Sequence, residues 1–316
     1  MNCIARTLLA GLCLLAHGAT AADAAAVPEA YAESSAIMAF SPDNEAAIVV
    51  RIAQYPARER AALWIWAYID GDYFIVVDEE VSMVDWDNVS VDAHSGTFAV
   101  TGSSSSARMQ TQALGADSMR TRLSASGLLH RTANPPPGPG TVPVRIDARF
   151  SAAHEPVIVL PGRLEVMGRV TASVEIAARK YEFALLGKWH EQTGRRPAFA
   201  PAFTYLTLMN EERGLLALNL EQMSFGYLFA DGGISLIDRM EIDPYGTRER
   251  AFDIRFADGR SIEGALQVLR EMSLPIEGDR RPGSTVVAHS PQGTLTGFVN
   301  DWSPEGEASS AEVPDS

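Results

Sequence analysis

The residues with the most chemical capacity fall in one stretch, Tyr181-Glu182-Phe183-Ala184-Leu185-Leu186-Gly187-Lys188-Trp189-His190-Glu191-Gln192. It sets an aromatic, a histidine, a carboxylate and an amide together at the end of a strand-like run. Strand alternation places Tyr181, Phe183, Leu185, Trp189 and Glu191 on one face and Glu182, Lys188, His190 and Gln192 on the other. The first face reads as a core face that ends in a carboxylate. Such surroundings raise a glutamate pKa and keep the group protonated, ready to act as an acid. An ion pair of Glu191 with Arg195 or Arg196 is an equal reading, because structural pairs also perturb carboxylates.

Other chemistries are excluded by residue type or spacing. The only cysteines, Cys3 and Cys13, lie in an N-terminal leader, so the mature chain has no disulfide, zinc-thiolate site, iron–sulfur cluster or cysteine nucleophile. His94, His130, His154 and His289 are scattered singly, and adjacent His190 and Glu191 cannot face one metal from a strand, so no metal site is expected. There is no Gly-x-Ser-x-Gly elbow, no Gly-x-Gly-x-x-Gly and no phosphate-binding loop, so no nucleotide or other cofactor is expected. Glu79-Glu80 and Glu211-Glu212 read as solvated turns, since a glycosidase pair must face across a cleft. Lys180 and Lys188 are the only lysines and the formal charge is -14, which argues against a nucleic-acid partner.

The elements that must position these residues are strands. Ala47 to Ile52 and Ala62 to Ile69 are β-branched and aromatic runs, and Asp70-Gly71-Asp72 then turns the chain into Tyr73 to Val77. The same grammar recurs at Phe225 to Phe229, the turn Ala230-Asp231-Gly232-Gly233, and Ile234 to Asp238. It recurs again at Phe252 to Phe256, Ala257-Asp258-Gly259-Arg260, and Ser261 to Leu266. No long helix is evident. Strand, polar turn, strand and Asp-Gly hairpin follow in the same order from Ser35 and from Phe203, which suggests a duplicated β unit. The Pro/Gly-rich segment 132–140 reads as a loop.

Met1 to Ala21 carries one early charge, Arg6, a short apolar run and small residues at Ala19 and Ala21. This is the pattern of a cleavable secretory signal, too short for a membrane span. The organisation is therefore read as a signal peptide over 1–21, an N-terminal β domain over 27–160, a C-terminal β domain over 161–302 that begins after Leu160-Pro161-Gly162, and a disordered acidic tail over 303–316. A periplasmic or secreted product follows, with at most transient membrane contact.

Arg163-Leu164-Glu165-Val166-Met167-Gly168, Gly187 to Gln192 and Phe199-Ala200-Pro201-Ala202-Phe203-Thr204-Tyr205 together resemble a superfamily built of two tandem lipocalin-like domains. It includes the AttH-like proteins, bacterial carotenoid hydratases (hydroxyneurosporene synthases), plant tocopherol cyclases and decalin-forming Diels–Alderases. Better-known members carry an Asp-His-x-Trp-Gly type block, whereas here Trp189 precedes His190. The resemblance implies an all-β fold of two tandem lipocalin-like antiparallel β-barrels and an apolar small-molecule ligand.

Cofactor-free hydration or cyclisation of an isoprenoid needs one acid, a dry apolar site and aromatic faces toward a developing cation. On that reading Glu191 supplies the proton and His190 relays it or holds water. Trp189, Tyr205 and Phe203 contact the substrate, and Trp64, Trp66, Tyr68 and Phe74 line the interior of the first domain. A non-catalytic lipid or isoprenoid carrier, or an interaction module with filled barrels, uses the same residues as packing.

Overall fold

The computed structural model describes residues 31–82, 99–103, 107–115, 118–130, 141–195, 202–220, 223–271, 274–276 and 279–302. The expected signal peptide, Pro/Gly-rich loop and acidic tail lie outside them.

The described chain is almost entirely antiparallel β-structure, arranged as two tandem lipocalin-like barrels. The first comprises β1 (Tyr31–Phe40), β2 (Ala46–Tyr55), β3 (Arg60–Ile69), β4 (Asp72–Ser82), β5 (Ala99–Ser103), β6 (Ala107–Gly115), β7 (Ser118–His130), β8 (Thr141–Ala152), β9 (Val157–Leu160), β10 (Arg163–Ile176) and β11 (Arg179–Arg195). Their order is β4-β3-β2-β1-β11-β10-β8-β7-β6-β5, with β9 beside β10. The sheet curls on itself, and β4 meets β7 from Tyr73↔His130 to Ile75↔Leu128.

The second unit is a closed ring of β12 (Phe203–Met209), β13 (Gly214–Leu220), β14 (Met223–Ala230), β15 (Gly233–Ile242), β16 (Glu249–Phe256), β17 (Ser261–Glu271), β20 (Gly283–Ser290) and β21 (Gly293–Trp302). The small hairpin of β18 (Leu274–Ile276) and β19 (Asp279–Arg281) lies between β17 and β20. β12 pairs with β21 along its whole length, so this ring leaves no edge among its eight strands.

The Asp-Gly hairpins form where the sequence places them. Asp70 and Gly71, and Asp231 and Gly232, all have positive φ, between 54° and 80°. That is the conformation a two-residue turn between right-twisted strands requires and that Asp-Gly tolerates.

The boundary between the units differs from the one expected at Pro161. β10 and β11 belong to the first sheet: β11 pairs with β1 from Tyr31↔Arg195 to Phe40↔Leu186, and β10 pairs with both β11 and β8. Leu160-Pro161-Gly162 is the tight turn between β9 and β10. Gly162 adopts φ +74° there, and its carbonyl accepts the Thr193 N–H at 2.7 Å. A Pro-Gly turn inside a sheet and a Pro-Gly linker look alike in sequence, and long-range pairing decides between them. The sheets change between Arg195 and Phe203 instead.

Three apolar layers hold the molecule together. One lines the inside of the first barrel (Ile37, Val50, Ile65, Phe74, Phe150, Trp189) and another the inside of the second (Leu206, Leu215, Ile254, Leu266, Val299). The third lies between the barrels, where Phe40, Trp64, Trp66, Tyr68 and Met167 meet Tyr205, Met209, Leu216, Tyr227 and Phe298. β2 and β3 are thus buried on both faces, which explains their unbroken apolar runs.

Candidate functional site on the two faces of one strand

β11 runs without a register shift against both neighbours, so its alternation is regular from Arg179 to Arg195. Leu185 and Trp189 point into the first barrel, with Tyr181 and Phe183 packed against that core. Glu191 shares their parity, opposite Ser35 of β1 and Leu164 of β10. Leu186 points the other way into the inter-barrel seam, as do Lys188 and His190 by parity. One strand therefore serves two compartments separated by the thickness of the sheet.

Inside the barrel, Glu191 is 3% exposed, and neither of its carboxyl oxygens has a hydrogen-bond partner among the described residues. Burial raises its pKa to about 7. Burial costs an ionised carboxylate its hydration and costs the neutral acid far less. The alternative partners fall on the side chains of Arg195 and Arg196, outside those described. Trp189 lies beside the acid, its indole N–H donating to Ser35 Oγ at 3.3 Å and its ring edge-on to Phe150 at 6.2 Å between centroids. This is a neutral, protonated acid next to an aromatic face in apolar surroundings.

The seam face carries a group that the sequence reading did not assemble. Glu165 of β10 accepts from Arg163 Nε at 2.6 Å, from the Tyr205 hydroxyl at 2.8 Å and from Lys188 Nζ at 3.0 Å. The Lys188 ammonium also contacts the Tyr205 hydroxyl and lies 4.0 Å from the centre of its ring. Burial alone would raise Glu165, but the Lys188 and Arg163 charges and the Tyr205 hydrogen bond outweigh it and hold the carboxyl below its ordinary value. Burial pulls Lys188 down to about 8 against the attraction of Glu165. Tyr205 is pushed well above its ordinary value by burial and then by Glu165. His190, 7% exposed, is held well below the usual histidine range by burial and by the Lys188, Arg163 and Arg51 charges. It is a neutral imidazole, and its Nδ1 has no partner among the described residues.

The expected site residues therefore divide. Trp189 and Glu191 share the barrel interior. His190 and Tyr205 lie in the seam, and Phe203 packs against its edge. A direct relay from His190 to Glu191 is excluded, because neighbouring residues on a strand point to opposite faces. Trp64, Trp66 and Tyr68 do not line the first barrel as expected. Their neighbours Leu63, Ile65 and Ala67 do, while the aromatics face the second barrel. Phe74 does point inward. The missed group had one usable signal: Arg163 and Glu165, and Lys188 and His190, are each two residues apart, so each pair shares a strand face.

The family described as a domain of unknown function, DUF7064, matches residues 19–189, more than half of the chain, and the chain belongs to that family. Among solved structures it is similar to CghA crystallised with Sch210972, with a TM-score of 0.58 and 13% identity over 86% of this chain and 88% of that one. Kievitone hydratase from Nectria haematococca aligns with a TM-score of 0.47 and 10% identity over 85% and 88%. An AttH-like protein from Nitrosomonas europaea aligns with 0.45 and 12% over 89% and 98%. The likeness to CghA extends over both barrels and shows a shared fold. No curated protein matches the sequence.

Proposed function

We propose that this protein encloses an apolar, isoprenoid- or lipid-like molecule and acts on it as a cofactor-free, acid-assisted hydratase or cyclase, with Glu191 as the proton donor. One observation carries the reading: a carboxylic acid that is buried, unpartnered among the described residues and neutral up to about pH 7, beside the Trp189 indole in an apolar barrel. In the hydration form, the Glu191 O–H proton passes to one carbon of a C=C bond, and the positive charge left on the other carbon faces the Trp189 ring. Water adds to that carbon and returns one proton to the carboxylate, so that one water is consumed per turnover. In the cyclising form a second double bond of the substrate takes the place of water, and loss of a C–H proton regenerates the acid. CghA, of the same fold, has been crystallised with Sch210972, which fits a fold able to hold a ligand. The Met1 to Ala21 segment supports export, and with it a substrate met outside the cytoplasm.

The test is to identify by mass spectrometry the apolar compound that copurifies with the full chain, then to compare its turnover by the wild type and by Glu191→Gln. The substitution keeps shape and removes the acid, and turnover should fall by about 100-fold or more, as for loss of a general acid. Unchanged turnover in Glu191→Gln sinks the catalytic assignment. A compound that is bound and never converted supports a carrier instead.

A further inference from the structure

Inside the first barrel, Leu164 of β10, Glu191 of β11, Ser35 of β1 and Ile52 of β2 form one row across the sheet. Thr193, Glu33 and Gln54 form the next row toward the strand ends, and Val166, Trp189, Ile37 and Val50 form the next row inward. Glu33 and Thr193 are half-buried, whereas Ser35 and Glu191 are each 3% exposed, so the outer row is a mouth and Glu191 lies one step inside it. Glu33 and Glu191 are diagonal neighbours on paired strands, a placement that sets residues about 7–8 Å apart.

Among the described side chains of these three rows, Glu33 and Glu191 are the titratable groups, and none is Arg or Lys. β3, the next strand across, adds Ala61 and Leu63. Arg51, Arg163, Lys188 and His190 belong to the other face of the sheet, and Arg195 follows four residues further along β11, about 13 Å of extended chain from Glu191. Both Glu191 oxygens are without a partner among the described residues, and Trp189 lies one row below them on the same face. A carboxylate ligand at this place would face two acidic groups with no described cation beside them. A hydroxyl would satisfy the hydrogen bonds of Glu191 but supply no positive charge. An ammonium group does both: it donates to the Glu191 oxygens, is attracted by Glu33 and lies beside an indole. The half-open mouth lowers the desolvation cost that such a pair meets deep in a core.

We propose that the first barrel binds an apolar amine, with its ammonium head among Glu191, Glu33 and Trp189 and its hydrocarbon body along the apolar lining below. Binding of the R–NH3+ form converts Glu191 from acid to carboxylate, and the Glu191 proton leaves to solvent. Such binding rests on the proposed placement of a ligand inside the first barrel and needs no turnover there.

The experiment titrates the full-length protein at pH 6 with dodecylamine, 1-dodecanol and dodecanoate, each below its micellar or solubility limit, and follows binding by calorimetry. Dodecylamine should bind about tenfold more tightly than dodecanol or better, the discrimination expected of one charge-assisted contact, and dodecanoate should bind more weakly than either. A chain of formal charge -14 attracts any cation, so the decisive variant is Glu191→Gln, which should bring dodecylamine to within about twofold of dodecanol. Glu33→Gln should remove part of the preference. Wild-type titrations in buffers of different ionisation heat should show about one proton released per amine bound at pH 6 and close to none at pH 8, because Glu191 titrates at about 7. The proton count needs no variant, so it decides even if a substitution prevents folding. Equal affinity for amine and alcohol, an amine preference that survives Glu191→Gln, or amine binding without proton release at pH 6 overturns the proposal. If the amine does not bind while Glu191→Gln still abolishes turnover, the acid-catalysis reading stands and this proposal alone is overturned.

Discussion

Lys188 and Glu191 are three residues apart on one strand, yet they meet opposite solutions to burial. Lys188 is fully buried and is held by Glu165 and Tyr205, whereas Glu191 is left neutral. The second solution makes folding depend on pH. With a folded pKa near 7 against an ordinary 4.5, Glu191 holds its proton in the native state over a range in which the unfolded chain releases it. Its contribution is fully present below about pH 4.5 and is lost as pH rises through 7. The full difference corresponds to about 3 kcal/mol by the usual conversion. Glu191→Gln should therefore be more stable than the wild type at pH 8, by up to about that amount, and should flatten the loss of stability between pH 5 and 7. Urea denaturation at several pH values measures both, and an unchanged pH slope removes the neutral-acid assignment. The core parity of Glu191 was legible because Tyr181, Phe183, Leu185 and Trp189 repeat at period two. The ionic group around Glu165 was not, because Tyr205 comes from the other barrel.

At the scale of the element, both barrels depend on local features with different degrees of legibility. The Asp-Gly turns announced their hairpins, since a turn is local chemistry. The inward face of β3 did not announce itself: with both faces buried, alternation carries no information, and Trp64, Trp66 and Tyr68 could have faced either way. Gly187 of β11 is constrained by its neighbours, because a Cβ there would lie 2.5 Å from the Met38 carbonyl oxygen on β1. Gly187→Ala should therefore push β1 and β11 apart near the Phe40 end of their pairing. Overpacking of this kind typically costs about 1–3 kcal/mol, and a lowered urea midpoint would register it. In the second barrel, Arg250 of β16 forms a two-pronged pair with Asp301 of β21 at 2.8 and 3.0 Å, and Thr204 of β12 donates to the same carboxylate at 2.7 Å. Asp301→Leu should cost about 3–5 kcal/mol by leaving the buried Arg250 charge unpaired. The double change Arg250→Met with Asp301→Leu should recover much of that loss, and chemical denaturation of the three variants distinguishes a broken ion pair from a lost side-chain volume.

Across the whole molecule, the seam is a core in its own right, and its aromatic side chains come from both barrels. Phe40 of β1 and Phe298 of β21 meet edge-to-face at 5.3 Å, and both are fully buried. On the same seam, Arg270 of β17 contacts the Asn44 carbonyl, pairs with Glu45 at 3.2 Å and lies 4.3 Å from the Tyr68 ring centre. Separating the barrels would expose Trp66, Phe40, Tyr227 and Phe298 together, at about 25 cal/mol per Å² of apolar surface. Neither barrel then has a stable surface of its own at this face, and the two should unfold as one cooperative unit despite the separate sheets. Phe40→Ala should lower the stability reported by probes in the second barrel as much as by probes in the first, by about 3–5 kcal/mol. Phe298→Ala should likewise lower both equally, and the double-mutant cycle should return a coupling of about 0.5–1.5 kcal/mol for the ring pair. Two separate transitions, with Phe40→Ala shifting only one of them, would show that the barrels are independent domains and that the seam is an ordinary interface.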